Sequence, residues 1–101
     1  MRLIGLEEHF VTPEILSAGR AMDLASRDLA FRPASEGETG ALLLDLGDAR
    51  IAAMDATGLD AQVISLTTPG VQNLPAPQAV ALQQASNDVL ADVIKSRPDR
   101  F

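Results

Sequence analysis

The chain has 101 residues, of which 47% are hydrophobic and only 3% aromatic, and its formal net charge is -6. This length and composition are typical of one globular unit with an aliphatic core. The interspersed negative charge disfavours nucleic acid as a partner, because phosphate affinity requires clustered Lys and Arg. The absence of cysteine excludes disulfides, thiolate metal sites and a cysteine nucleophile.

The N-terminal segment MRLIGLEEHF argues against a targeting signal. It has one basic residue and reaches two glutamates before an apolar stretch of signal-peptide length develops. No later apolar run approaches the roughly 20 residues that a membrane-spanning helix needs. We therefore expect no membrane partner and a cytoplasmic location.

The first predicted element is a β-strand over residues 2–9. Because side chains alternate along a strand, Leu3, Gly5, Glu7 and His9 are expected on one face and Glu8 on the other.

A short helix is predicted next. Thr12 is placed to cap it and Pro13 to occupy its first position, and the helix should end near Gly19. Residues 20–40 lack periodicity and collect Pro, Ser and Gly, so the segment 12–40 is predicted to be this short helix followed by a long, mobile surface loop.

The second half of the chain has clearer periodicity. A helix is predicted over residues 42–57 with Gly58 as its left-handed C-cap, a strand over 61–66, and a helix over 77–97 that stops before Pro98. The order strand, helix, strand, helix predicts a parallel α/β arrangement.

Glu7 and His9 form the pattern most suggestive of chemistry. Two positions apart on a strand, they project to the same side and bring a carboxylate oxygen and an imidazole nitrogen within reach of one divalent ion. Such pairs also arise by chance, and a hydrogen-bonded structural histidine is the alternative. The residues alone leave both interpretations open.

Three stretches resemble a known family. IGLEEHFVTPE, RIAAMDATGLDAQVISLTTPGVQ and ASNDVLADVIKSRPDRF are similar to the amidohydrolase-related metal-dependent decarboxylases of the gamma-resorcylate and dihydroxybenzoate type. The resemblance implies an α/β fold in which residues 1–101 form the N-terminal part of one domain. That part would be the first βα units of a TIM-type (β/α)8 barrel, incomplete in this chain.

The resemblance also implies a metal site. Glu7 and His9 would be the two ligands from the first barrel strand, and the cofactor would be a divalent ion, Zn or Mn. The family's remaining ligands, a later His and an Asp, come from strands that this chain does not contain. The 101 residues alone are therefore expected not to catalyse.

Four further residues are candidates for substrate binding. Phe10 follows the first strand, and Thr68, Pro69 and Gln72 lie in the loop after the second, where barrel enzymes place their sites. Core packing for Phe10 and an ordinary turn for the loop residues are the alternatives.

The implied activity is non-oxidative decarboxylation of a small hydroxylated aromatic carboxylic acid. The metal would hold the carboxylate and the ortho oxygen while an acid protonates the ring carbon. One alternative is hydrolysis by a metal-activated water in the same superfamily. The other alternative is a non-catalytic truncated module that oligomerises through its exposed strand edges. A homo-oligomer is the expected assembly.

Overall fold

A computed structural model describes all 101 residues of the chain. It contains a two-stranded sheet and five α-helices, with one turn of 3-10 helix at Leu24–Ser26. In chain order the elements are β1 (Ile4–Phe10), α1 (Pro13–Ala21), α2 (Phe31–Ser35), α3 (Gly37–Leu44), α4 (Asp48–Thr57), β2 (Ala61–Leu66) and α5 (Ala76–Ser96). None of the helices is both long and apolar enough to cross a bilayer.

The two strands are parallel, as the sequence predicts, and β1 contains an irregularity. Ile4 pairs with Ala61 and His9 with Ser65, but the register shifts between Gly5 and Glu8. One extra residue in β1 is a β-bulge, which breaks the strict alternation of side chains.

The bulge makes the predicted position of Gly5 wrong. A Cβ on Gly5 would lie 3.0 Å from Cγ and Cδ of Glu8, so Gly5 is on the Glu8 side of the strand and not on the side of Glu7 and His9. Without a side chain, Gly5 leaves room for the Glu8 carboxylate to fold back over the strand.

Helix α1 begins as the sequence indicates. The backbone of Thr12 is extended, and its Oγ1 accepts a hydrogen bond from the amide of Ile15 at 3.3 Å. This bond satisfies one of the amides that the first turn leaves without a partner. Ile15 and Leu16 are buried and join Val11 and Phe31 in the main hydrophobic cluster.

The long loop predicted over residues 20–40 is wrong, because most of it is helical. After the 3-10 turn, α2 and α3 follow each other with only Glu36 between them. Phe31, 6% exposed, packs on α1 where Gly19 leaves room for its ring. Tertiary contact of this kind stabilises helices that are too short to be stable alone.

The single helix predicted over residues 42–57 is also wrong, because it is two helices. The chain breaks at Asp45, Leu46 and Gly47, between α3 and α4. The amide of Gly47 donates to Oδ1 of Asp45 at 2.7 Å, a local side-chain bond that favours a turn over a continuous helix.

Later elements agree closely with the predicted bounds. Gly58 has φ 73° and ends α4 in the left-handed conformation, β2 covers residues 61–66, and α5 covers 76–96. Beyond α5, the carbonyl of Arg100 accepts a hydrogen bond from the amide of Gln62 at 2.9 Å, which places the C-terminal segment alongside β2.

The core is small for a chain of this length. Only 13 of the 101 residues are buried. In the sheet itself, Leu6 and Val63 are 71% and 55% exposed. The sheet therefore leaves apolar side chains open to solvent.

Candidate metal centre

Glu7 and His9 lie together near the C-terminal end of β1. Oε2 of Glu7 is 3.9 Å from Nε2 of His9, and the two side chains are 92% and 38% exposed. The two side chains are close although the register shift between Gly5 and Glu8 includes Glu7.

The second ring nitrogen of His9 has a partner on the neighbouring strand. Nδ1 of His9 is 3.1 Å from Oγ of Ser65, the residue with which His9 is paired. When Nδ1 carries the proton it donates to this hydroxyl, which leaves the lone pair of Nε2 free on the side of Glu7. Histidines that bind metals are held in this way by a hydrogen bond to their other nitrogen.

The spacing of the two side chains is close to that of two ligands on one divalent ion. Two ligand atoms bound to one ion are roughly 3.0–3.4 Å apart, given metal–ligand bonds of about 2.1 Å. The 3.9 Å separation reaches this range with a small rotation of the exposed Glu7 side chain. No group of three or more His, Cys, Asp or Glu residues converges here, so Glu7 and His9 could supply at most two of the four or more ligands that such an ion takes.

Glu8 is held on the opposite side of β1. Its Oε2 accepts a hydrogen bond from Nε2 of Gln62 at 3.2 Å, and Oε1 of Gln62 accepts one from Arg50 at the same distance. Burial lowers the pKa of the Arg50 guanidinium from its usual value, while the Glu8 and Asp45 carboxylates act in the opposite direction.

The loop after β2 adjoins His9. His9, Thr68, Pro69 and Gln72 line one cleft of about 550 Å³. The amide of Gln72 donates to the carbonyl of Pro69 at 3.2 Å, so the loop turns tightly beside the imidazole.

Phe10 is placed differently from the other candidates. Its side chain is fully buried and lines neither of the two clefts that border His9. Its position is that of a core residue, which was the alternative in the sequence analysis.

Sequence reasoning missed Arg50 and Gln62. Gln62 interrupts the otherwise apolar start of β2 and is 8% exposed, and a buried amide requires hydrogen-bond partners. The polar Gln62 within an apolar strand was therefore the feature of the sequence that could have predicted a hydrogen-bond network on this side of the sheet.

The chain as a whole was compared with known proteins. No protein-family model matches the chain. A gamma-resorcylate decarboxylase of Rhizobium radiobacter is 39% identical over 101 residues, covering 97% of this chain and 28% of that enzyme. The chain is similar to the N-terminal portion of an amidohydrolase-related decarboxylase. The resemblance predicted from the sequence is confirmed.

Solved structures of decarboxylases agree with this result. The 5-carboxyvanillate decarboxylase of Novosphingobium aromaticivorans DSM 12444, complexed with manganese and 4-hydroxy-3-methoxy-5-nitrobenzoic acid, matches with a TM-score of 0.87 and 37% identity, over 99% of this chain and 32% of that one. The dihydroxybenzoic acid decarboxylase of Polaromonas sp. JS666, with bound manganese and 2-nitroresorcinol, matches with a TM-score of 0.72 and 30% identity, over 100% of this chain and 29% of that one. The chain thus spans less than a third of the length of these relatives.

Proposed function

We propose that this chain is the N-terminal segment of a metal-dependent, non-oxidative decarboxylase of hydroxylated aromatic acids. The observation that carries the proposal is the Glu7–His9 pair near the C-terminal end of β1, in a chain similar throughout to such decarboxylases. In barrel enzymes this end of the strands carries the active site.

The exposed sheet supports the proposal that the chain is the start of a (β/α)8 barrel. In such barrels both faces of every strand are covered, the inner one by side chains of the other strands. Leu6 and Val63 have no such cover here. Further barrel strands would bury them, as would a second copy of the chain in a homo-oligomer.

Glu7 and His9 are the residues that would hold the metal ion. A bound divalent ion supplies electrostatic stabilisation and a template that orients a carboxylate and a neighbouring oxygen. The manganese in the two solved decarboxylases supports Mn²⁺ as the ion, with Zn²⁺ as the alternative. Ser65 would keep the imidazole of His9 in one orientation through Nδ1.

The loop beside His9 would form one wall of the substrate pocket. Thr68 and Gln72 bring polar groups to the cleft that His9 lines, and Pro69 contributes a rigid, apolar surface. A small aromatic acid needs this combination of a flat apolar wall and a few polar contacts. The aromatic ligands of the related decarboxylases support this class of substrate.

A segment exchange tests the proposed function. Residues 1–101 would replace the matching N-terminal segment of the Rhizobium radiobacter gamma-resorcylate decarboxylase, and release of CO₂ from gamma-resorcylate would be measured with Mn²⁺ present. We expect activity in the chimera and its loss in Glu7→Gln and in His9→Ala. Glu14→Gln, an exposed carboxylate in the first turn of α1, is the matched control and should retain activity. Full activity in Glu7→Gln and His9→Ala would contradict the proposal.

A further inference from the structure

Arg50 connects the end of β1 to the helices behind it. Its Nη2 donates to the carbonyl of His9 at 2.7 Å and to that of Leu42 at 3.2 Å, and its Nε donates to the carbonyl of Asp45 at 2.6 Å. The carbonyl of Leu42 belongs to the last turn of α3 and also accepts a hydrogen bond from the amide of Asp45 at 3.3 Å. One planar guanidinium thus joins the backbones of three segments, which a lysine could not reproduce.

The third guanidinium nitrogen of Arg50, Nη1, extends the network to Glu8. Nη1 of Arg50 donates to Gln62, and the amide nitrogen of Gln62 donates to the Glu8 carboxylate, each at 3.2 Å. Glu7 makes no comparable contact and is exposed beside His9. Of the two adjacent glutamates, Glu8 lies on the opposite side of β1 from His9, and this network holds its carboxylate there.

We infer that Arg50 and Gln62 are positioning residues for the metal centre. Arg50 fixes the backbone of His9 through its carbonyl, and Gln62 anchors Nη1 of the Arg50 guanidinium on the far side of β1. This inference rests on the proposed metal-binding role of Glu7 and His9. It assigns a function to two residues that themselves touch neither metal nor substrate.

A purely structural role makes a different prediction. If Arg50 only ties α3 and α4 to the sheet, its loss should lower stability and leave the metal affinity of the folded chain unchanged. If Arg50 positions His9, its loss should lower the metal affinity, and a control variant with a similar loss of stability should show a smaller decrease. Removing a residue that orients a metal ligand typically weakens metal binding by about 10–100-fold.

The matched control is Arg27. It also binds two backbone carbonyls, those of Arg20 at 2.8 Å and Met22 at 3.0 Å, and it lies over the ring of Phe31 with its Cζ 5.2 Å from the ring centroid. Its hydrogen bonds reach neither strand. Arg27→Gln therefore removes a comparable set of structural contacts at a distance from the metal pair.

The test is a Mn²⁺ titration of the chimera in which residues 1–101 replace the matching segment of the Rhizobium radiobacter enzyme, followed by the electron paramagnetic resonance signal of free Mn²⁺. Each variant would be measured at a temperature the same number of degrees below its own Tm. We expect binding in the unsubstituted chimera, its loss in Glu7→Gln, affinity about tenfold weaker in Arg50→Gln, and unchanged affinity in Arg27→Gln. If Arg50→Gln does not fold, Gln62→Met decides by the same criterion, because it removes the side chain that anchors Nη1 of Arg50 without removing Arg50 itself.

The outcomes separate the two hypotheses. Unchanged binding in Glu7→Gln would overturn the proposed metal site and the positioning role with it, as would an unsubstituted chimera that binds no Mn²⁺. Loss of binding in Glu7→Gln, combined with unchanged affinity in Arg50→Gln or in Gln62→Met, would overturn the positioning role alone.

Discussion

Replacing Gly19 with Ala should destabilise the chain, although helix propensity alone predicts the opposite. Gly19 lies inside α1, where Ala is more favourable than Gly by about 1 kcal/mol. The new Cβ, however, would lie 2.7 Å from both Cδ2 and Cζ of Phe31, whereas carbon atoms pack at about 3.5–4.0 Å. Phe31 is buried and must move to accommodate it.

The magnitude follows from these two opposing effects. Overpacking in a well-packed core costs about 1–3 kcal/mol, and the close approach to a buried ring favours the upper part of this range, about 2–3 kcal/mol. After the gain of about 1 kcal/mol in propensity, the net loss should be roughly 1–2 kcal/mol. In a domain of this size each kcal/mol lowers Tm by roughly 4–8 °C. Urea unfolding, followed by circular dichroism, measures the change directly.

Two further variants make this prediction specific. Ser17→Ala introduces the same residue at an exposed position of the same helix and should be neutral or slightly stabilising. Phe31→Leu in the Gly19→Ala background should recover part of the loss, since a smaller side chain relieves the overlap. A Gly19→Ala chain as stable as wild type would refute the packing of Phe31 on α1, and with it the helical description of the segment after α1.

Three other predictions concern the C-cap of α4, the N-cap of α1, and the hydrogen bond between Ser65 and His9. Gly58→Ala should lower the free energy of unfolding by about 1–2 kcal/mol in urea titrations, because φ is 73° at this position; an unchanged value would mean that α4 ends differently. Thr12→Ala should cost about 1 kcal/mol in the same assay through loss of the bond to Ile15, and Thr12→Ser should restore most of it. Ser65→Ala should weaken Mn²⁺ binding about tenfold because it frees the ring of His9, and equal affinity would show that the hydroxyl does not orient the ring.

Elements with strong periodicity or clear end signals could be predicted from the sequence. The apolar stripe of α5, the aliphatic run of β2 and the glycine that ends α4 are local features, and each carries its own signal within a few residues. The parallel pairing followed from the order of the elements.

The segment after α1 could not be predicted because its helices depend on contacts made elsewhere. Helix α2 has five residues and contains Pro33, and α3 has eight and begins at Gly37. Neither has the length or propensity to be stable alone. The burial of Phe31 against Gly19 stabilises this region, and a pattern confined to residues 20–40 contains no information about that partner.

The proximity of Glu7 and His9 could be predicted, but their surroundings could not. Period-two spacing predicts Glu7 and His9 on one side, and their side chains are close although the register shift between Gly5 and Glu8 includes Glu7. The predicted position of Gly5 was wrong because this shift breaks the alternation of side chains between Gly5 and Glu8. The bond from Arg50 to the carbonyl of His9 joins residues 41 positions apart, so no local motif predicts it.

The most direct test of the central claim uses the imidazole of His9, the only histidine in the chain. Its ring protons give unambiguous NMR signals, and bound Mn²⁺ broadens the signals of nuclei close to it. The account predicts that substoichiometric Mn²⁺ broadens the His9 ring signals in wild type and leaves them sharp in Glu7→Gln. Signals that stay sharp in wild type, or that broaden equally in Glu7→Gln, would contradict the claim that Glu7 and His9 together bind a divalent metal ion.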